Sequence, residues 1–271
     1  MINIYDVPDY IKNNAAITFE KYKELYKLSI EDPEKFWSEQ AKNLDWIKNF
    51  NNVKKTDFNS NVDIKWFEGG TLNVSFNCLD RHLKNKGNKI AIIWEGDNPN
   101  ESRTITYREL FEKVCKFSNS LKRLGVKKGD RVTIYLPMIP EAAIAMLACS
   151  RIGAIHSVVF GGFSPESLKN RIIDCKSSTI ITANEGLRGN RKIPLLKNVK
   201  ESLQGLNFVE NVIVVKRTGS TDFFEEDNDL WYHEMIRNEA TECEISVQNS
   251  EDPLFILYTS GSTGTPKGVL H

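Results

Sequence analysis

The strongest constraint on the fold is an alternation that begins at Arg131. Arg131-Val-Thr-Ile-Tyr-Leu136, Ile155-His-Ser-Val-Val-Phe160, Ser178-Thr-Ile-Ile-Thr182 and Val212-Ile-Val-Val215 are short runs rich in β-branched residues. Between them stand helix signals. Pro140 opens a segment that runs to Arg151, Ser164 is placed as an N-cap with Pro165 at N1, and a further helix falls near Lys197 to Leu206. Strands joined by crossovers of this length run parallel, and a parallel sheet needs both faces covered. The expected class is therefore α/β, with mostly parallel sheets and helices on both faces. Ligands of such sheets bind outside the carboxyl ends of the strands.

Upstream, Ile90-Ala-Ile-Ile-Trp94 and Thr104-Ile-Thr106 flank the polar segment Gly96 to Ser102, a hairpin signal. Thr106 with Glu109 forms a capping box, Ile105 and Leu110 are spaced as its hydrophobic staple, and Gly125 stands where a helix-ending glycine belongs. Leu72 to Leu83 reads as one helix. His82 on it has no acid or nucleophile spaced to pair with it, so a packed histidine is favoured over a catalytic one. Residues 1–60 read as a helical extension packing on the main body, with Phe19, Tyr22, Leu25 and Tyr26 at helical spacing and a second helix from Pro33. Lys48 to Asp63 reads as an exposed connector, which divides the chain into 1–60 and 61–271.

The apolar run Leu254-Phe-Ile-Leu257 is followed by Tyr258-Thr-Ser-Gly-Ser-Thr-Gly-Thr-Pro-Lys-Gly268. Its glycines let backbone N–H groups approach an anion, its hydroxyls add donors, and Lys267 adds a point charge. The segment differs from G-x-x-x-x-G-K-[ST] because Pro266 precedes the lysine and Gly268 follows it. Gly268-Val-Leu270 then reads as a returning strand, so the loop joins strand to strand. The candidate phosphate ligands are Thr259, Ser260, Gly261, Ser262, Thr263, Gly264 and Lys267.

Arg188 and Arg191 flank Gly189-Asn190 after the strand ending at Thr182. A bound phosphate and a solvated basic face fit that spacing equally well. Gly161-Gly162 is a strand-to-helix turn on spacing alone. Lys+Arg and Asp+Glu are 36 each, so no overall field favours nucleic acid or an acidic membrane surface. The five cysteines are widely spaced with no C-x-x-C pair, which fits a reducing compartment and no metal centre. No basic leader and no apolar run of membrane-spanning length is present, so a soluble cytoplasmic protein is expected.

The loop from Tyr258 to Gly268 resembles the phosphate-binding signature of the adenylate-forming superfamily of acyl-CoA synthetases, peptide-synthetase adenylation domains and luciferases. Phe76 to Leu83, Ile105 to Leu110, Leu136 to Glu141, Arg151 to Ser157 and Val159 to Glu166 are similar, in the same order, to the acetyl-CoA synthetase branch. That resemblance implies acetate, Mg²⁺-bound ATP and coenzyme A as small-molecule substrates. It implies an acetyl-adenylate intermediate, the loop on the β- and γ-phosphates, and Arg188, Gly189, Asn190 and Arg191 at the 3′-phosphate end of coenzyme A. It also puts Gly161, Gly162 and Phe163 near the coenzyme A tunnel. Asn190 departs from the family by replacing a small residue.

The same resemblance implies that the acyl pocket, adenine contacts, Mg²⁺ ligand, hinge and C-terminal domain belong to sequence beyond His271. The chain then reads as an incomplete large domain with no catalytic residue of its own, inactive by itself. A propionyl- or other short-chain acyl-CoA synthetase is the alternative, and a non-catalytic nucleotide-binding module is the alternative from another class.

Overall fold

The structure, a computed structural model, describes residues 5–59, 62–189, 191–225, 229–259, 264 and 266–271. The chain falls into two compact units, Met1–Gly70 and Thr71–His271.

In the first unit, α1 (Asp9–Asn14) precedes α2 (Phe19–Glu31), which Thr18 caps by accepting from the Lys21 N–H, and α3 (Pro33–Ala41), capped by Asp32 with Pro33 at its first position. The expected connector is instead a hairpin of β1 (Asn52–Asp57) and β2 (Asp63–Glu68), paired antiparallel with Lys54 opposite Trp66. Aromatic packing makes the difference. Trp37 meets Trp66 edge-on at 5.6 Å, and Trp46, Phe50 and Phe67 form a cluster with centroids 5.0–5.6 Å apart. The hairpin thus supplies two of the five rings of a small aromatic core.

The second unit opens with β3 (Thr71–Leu72), α4 (Val74–Cys78), a 3₁₀ turn over Asp80–His82 and α5 (Leu83–Lys86). The single helix expected there is broken at Leu79, whose φ of −123° and ψ of −68° leave the helical region. Long-range polar contacts set the break. Asn73 caps α4 through its Oδ1 and donates from Nδ2 to the carbonyls of Ser150, Arg151 and Ser246. Past the break, Asp80 accepts two hydrogen bonds from the buried Arg151 guanidinium, at 2.9 and 3.0 Å.

Next, β4 (Ile90–Glu95) and β5 (Ser102–Thr106) form the expected hairpin. It leads into α6 (Tyr107–Arg123), whose capping box at Thr106 and Glu109 is complete. Then follow β6 (Arg131–Tyr135), α7 (Pro140–Ile152), β7 (Ile155–Val158), α8 (Pro165–Cys175), β8 (Thr179–Ala183), the small hairpin β9 (Gly186–Arg188) and β10 (Arg191–Ile193), α9 (Leu195–Leu203) and β11 (Asn211–Val215). The described chain closes with β12 (Asp229–Trp231), α10 (Tyr232–Met235), β13 (Gln248–Asn249), which pairs with β3, β14 (Phe255–Thr259) and β15 (Lys267–Leu270).

Seven strands make the main sheet in the order β12-β11-β8-β6-β7-β14-β15. Every pairing is parallel except β14 with β15. The chain steps from β6 outward to β7, then returns across β6 to β8, so the direction of winding reverses. With right-handed crossovers, α7 lies on one face and α8 and α9 on the other. Packing agrees, α6 resting on α7 and α8 on α9. Val132, Ile134, Ile180, Ile181, Ile213 and Val214 fill the middle of the sheet, buried on both faces as parallel strands are. No helix among the described residues is long and apolar enough to cross a membrane.

Candidate functional site

Reversal of the winding at β6 parts the loops that leave the carboxyl ends of the strands, and a crevice opens between them. Two clefts lie at these ends.

The first lies where the β14–β15 hairpin meets α8. Tyr258 pairs with Gly268 and Thr259 with Lys267, so the phosphate-loop residues leave the sheet at a defined neck. Thr259 and Lys267 stand exposed at this neck, and Gly264 takes φ +82°, a conformation that favours glycine. Ser260, Gly261, Ser262 and Thr263 lie outside the described residues. Beside the neck is a cleft of about 590 Å³, lined by Tyr258, Gly264 and Pro266 on one side and by the N-cap Ser164 with Ser167 and Asp174 of α8 on the other.

Polar and stacking contacts hold the neck against α8. The Tyr258 hydroxyl donates to Asp174 Oδ2 at 2.7 Å, and burial together with that carboxylate pushes its pKa upward. Gly268 fits beneath this pair, since a Cβ there would come within 3.2 Å of the Tyr258 ring and 3.3 Å of Asp174 Oδ2. The buried Arg171 guanidinium lies between two rings, 5.3 Å from the Tyr258 centroid and 4.7 Å from that of Phe163.

The second cleft, about 330 Å³, is lined by loops that follow β6, β7 and β8. It brings together Gly161 and Gly162 with Arg188, which sequence reasoning had placed on separate segments. The Arg188 guanidinium lies 5.7 Å from the Phe160 ring centroid. Gly161 cannot carry a side chain without strain, because a Cβ would stand 3.0 Å from the Leu136 carbonyl oxygen. Gly189, at φ +54°, makes the turn and donates its N–H to Asp97 Oδ2 at 2.6 Å. Arg191 pairs with Arg188 across β9–β10, while Phe163 meets Phe160 edge-on at 5.7 Å. Neither lines the cavity. Asn190 lies outside the described residues.

Several lining residues were not singled out from the sequence, namely Asp97, Met138, Phe160 and Arg217. Arg217 is neutralised by two hydrogen bonds to Glu101, both 2.6 Å, which hold that carboxyl below its ordinary range. It lies over Trp94 at 5.3 Å, with Arg103 also over the ring at 4.9 Å. The indole N–H of Trp94 donates to the Met138 carbonyl, so the β4–β5 hairpin forms part of the wall. Chemically, the first cleft is lined by the hydroxyls of Ser164 and Ser167, the Asn170 amide and the Glu166 and Asp174 carboxylates, while Lys267 stands exposed at the neck beside it. The second offers an apolar wall with a guanidinium at its rim, suited to a long ligand with an anionic end.

His82 lines neither cleft, and its ring packs edge-on against Tyr107 at 5.6 Å. Among the described residues no cluster of three or more His, Cys, Asp or Glu side chains is arranged to hold a metal ion.

A family model described as AMP-binding enzyme matches residues 79–271, and one described as acetyl-coenzyme A synthetase N-terminus matches residues 22–78. The acetyl-coenzyme A synthetase of Yersinia pestis (strain Pestoides F) is 54% identical over 273 residues, covering 100% of this chain and 42% of that protein. That of Parvibaculum lavamentivorans is 58% identical over 269 residues, covering 99% of this chain and 42% of its own length. Among solved structures, the acetoacetyl-CoA synthetase from Streptomyces lividans superposes with a TM-score of 0.83 at 25% identity, covering 96% of this chain and 40% of that one. The chain thus spans less than half the length of the curated relatives it matches. Matched by the first of these models over most of its length, the chain belongs to the AMP-binding enzyme family.

Proposed function

We propose that the protein is an acetate–CoA ligase (AMP-forming) and that this chain carries its phosphate-binding loop and much of its coenzyme A site. Acetate attacks the α-phosphate of Mg·ATP, giving acetyl-adenylate and pyrophosphate. The coenzyme A thiol then attacks the acetyl carbonyl, releasing AMP and a proton. In this reading Thr259, Ser260, Gly261, Ser262, Thr263, Gly264 and Lys267 hold the β- and γ-phosphates and offset charge that builds on the departing pyrophosphate. Mg²⁺ arrives with ATP as part of the substrate. Arg188, Gly189, Asn190 and Arg191 receive the 3′-phosphate end of coenzyme A, with Gly161, Gly162 and Phe163 along its path.

The observation that carries the reading is convergence. The neck of the β14–β15 hairpin and the Arg188 cleft both lie at carboxyl ends of strands in one mostly parallel sheet, which supports a two-substrate transfer there. All five cysteines are unpaired, which supports the cytoplasm as the compartment.

Calorimetric titration of the chain with coenzyme A and with dephospho-coenzyme A tests the second site. Coenzyme A should bind more tightly, and Arg188→Ala with Arg191→Ala should remove about tenfold of affinity for it alone, as expected for charge-assisted hydrogen bonds to one phosphate. Equal affinities for the two ligands would refute the assignment. Lys267→Ala should weaken Mg·ATP binding and leave coenzyme A binding unchanged. The 271 residues alone should show no acetate-dependent exchange between ATP and pyrophosphate.

A further inference from the structure

The geometry points to Asp174 as a positioning residue for the phosphate loop, acting through the Tyr258 hydroxyl at the neck of the β14–β15 hairpin. The function assigned to it rests on the phosphate-loop reading above, whereas the clasp itself does not.

The clasp acts where β15 joins the sheet. Among the described residues β15 pairs with β14, and the loop springs from that pairing. The loop leaves between Thr259 and Lys267, one residue beyond the Tyr258–Gly268 pair, and a tilt at that pair is carried directly into the loop. Three contacts oppose the tilt. The Tyr258 hydroxyl donates to Asp174 Oδ2 at 2.7 Å, with the Arg171 carbonyl 3.3 Å away as a weaker, alternative acceptor. Arg171, held by a hydrogen bond to the Ser167 carbonyl at 2.7 Å, covers the Tyr258 ring. Gly268 lets β15 lie close to both Tyr258 and Asp174. Asp174 sits in the last turn of α8, a helix packed against the sheet through the fully buried Leu168 and Ile172. The neck is therefore fixed to a rigid element, not to solvent-exposed loop. Donors that bind phosphate contribute fully only when held within a few tenths of an ångström of the productive geometry.

Hydrogen exchange of the 271-residue chain tests the clasp without any ligand. Tyr258→Phe keeps the ring and removes one oxygen, and Asp174→Ala removes the acceptor. Either change should speed exchange at the amides of Thr259, Lys267 and Gly268 about tenfold, the double variant should be no faster, and Asp174→Glu should recover part of the protection. Amides of α6 and β6 should keep their rates. Unchanged exchange at the neck would overturn the proposal, as would acceleration spread evenly over the sheet, which marks general loss of stability. The positioning role is read from Mg·ATP affinity, which should fall about tenfold in Tyr258→Phe at unchanged Tm and recover in part in Asp174→Glu. Faster exchange with unaltered affinity would leave Asp174 purely structural and overturn that role. Should the unaltered chain bind no Mg·ATP, the phosphate-loop reading fails, and the exchange rates still decide the clasp.

Discussion

His156 should make the second unit sensitive to acid. Its ring is 7% exposed on β7, Nδ1 has no hydrogen-bond partner, and Phe255 lies 5.7 Å from it, itself stacked on His271 at 4.6 Å. Burial drives the pKa from 6.5 down to about 4. The unfolded chain therefore takes up a proton that the folded chain refuses between these values, so stability rises with pH across that window. The contribution is complete above pH 6.5 and lost as pH falls toward 4, a total of about 3 kcal/mol with about 2 kcal/mol already gone at pH 5. Urea unfolding of the chain and of His156→Gln at pH 7.5, 6 and 5 isolates the effect. The variant lacks the titrating ring, so its stability should fall less steeply with acid by about that amount. In ring-proton NMR the His156 resonance should stay nearly unmoved down to pH 5. Parallel stability curves, or an assigned His156 resonance titrating near 6.5, would refute the reasoning.

Asp80→Ala should cost about 3–5 kcal/mol in denaturant unfolding, because it leaves the Arg151 guanidinium, 3% exposed, without its carboxylate. Adding Arg151→Met should restore much of the loss, and a double variant as unstable as the single one would argue against a stranded charge as the cause. Gly153→Ala at the end of α7, where φ is +76° and the Gln248 amide occupies the space, should lose about 1–2 kcal/mol or more of stability by thermal unfolding. Thr106→Ala should cost about 1 kcal/mol by removing the cap of α6, with Thr106→Ser close to neutral in the same assay.

What could be read in the sequence was local. The capping box at Thr106, the N-cap at Ser164, the glycine that follows α6, Gly125 at φ +86°, and the β-branched runs of β6, β8 and β11 each act through neighbours within a few residues. Where side chains reach across the chain, the reading failed. Asn73 and Asp80 break the Leu72–Leu83 segment through partners 71 or more residues away, and neither partner leaves a local trace. The β1–β2 hairpin was hidden because five of the six residues of β1 are exposed and two are lysines, while its packing depends on Trp66 and Phe67 in the other strand. At the site, the glycines and cations stood out as residue types. Asp97, Met138 and Phe160 did not, since the cavity they share forms only where the ends of β6, β7 and β8 meet the β4–β5 hairpin.

α8 is a helix of 11 residues, about 16 Å long, with Phe163 just before its cap and Asp174 in its last turn. The first cleft runs along it from the N-cap Ser164 to Asp174, so its length is a gauge. A single residue inserted or deleted within it turns everything beyond by about 100° and shifts it by about 1.5 Å, carrying Asp174 off the Tyr258 hydroxyl while leaving Phe163 in place. Substitutions at outward positions such as Ile173, 44% exposed, leave that spacing untouched. This helix can therefore vary in composition but not in residue count, and a chain of this family with a longer or shorter α8 would have to rebuild its loop neck.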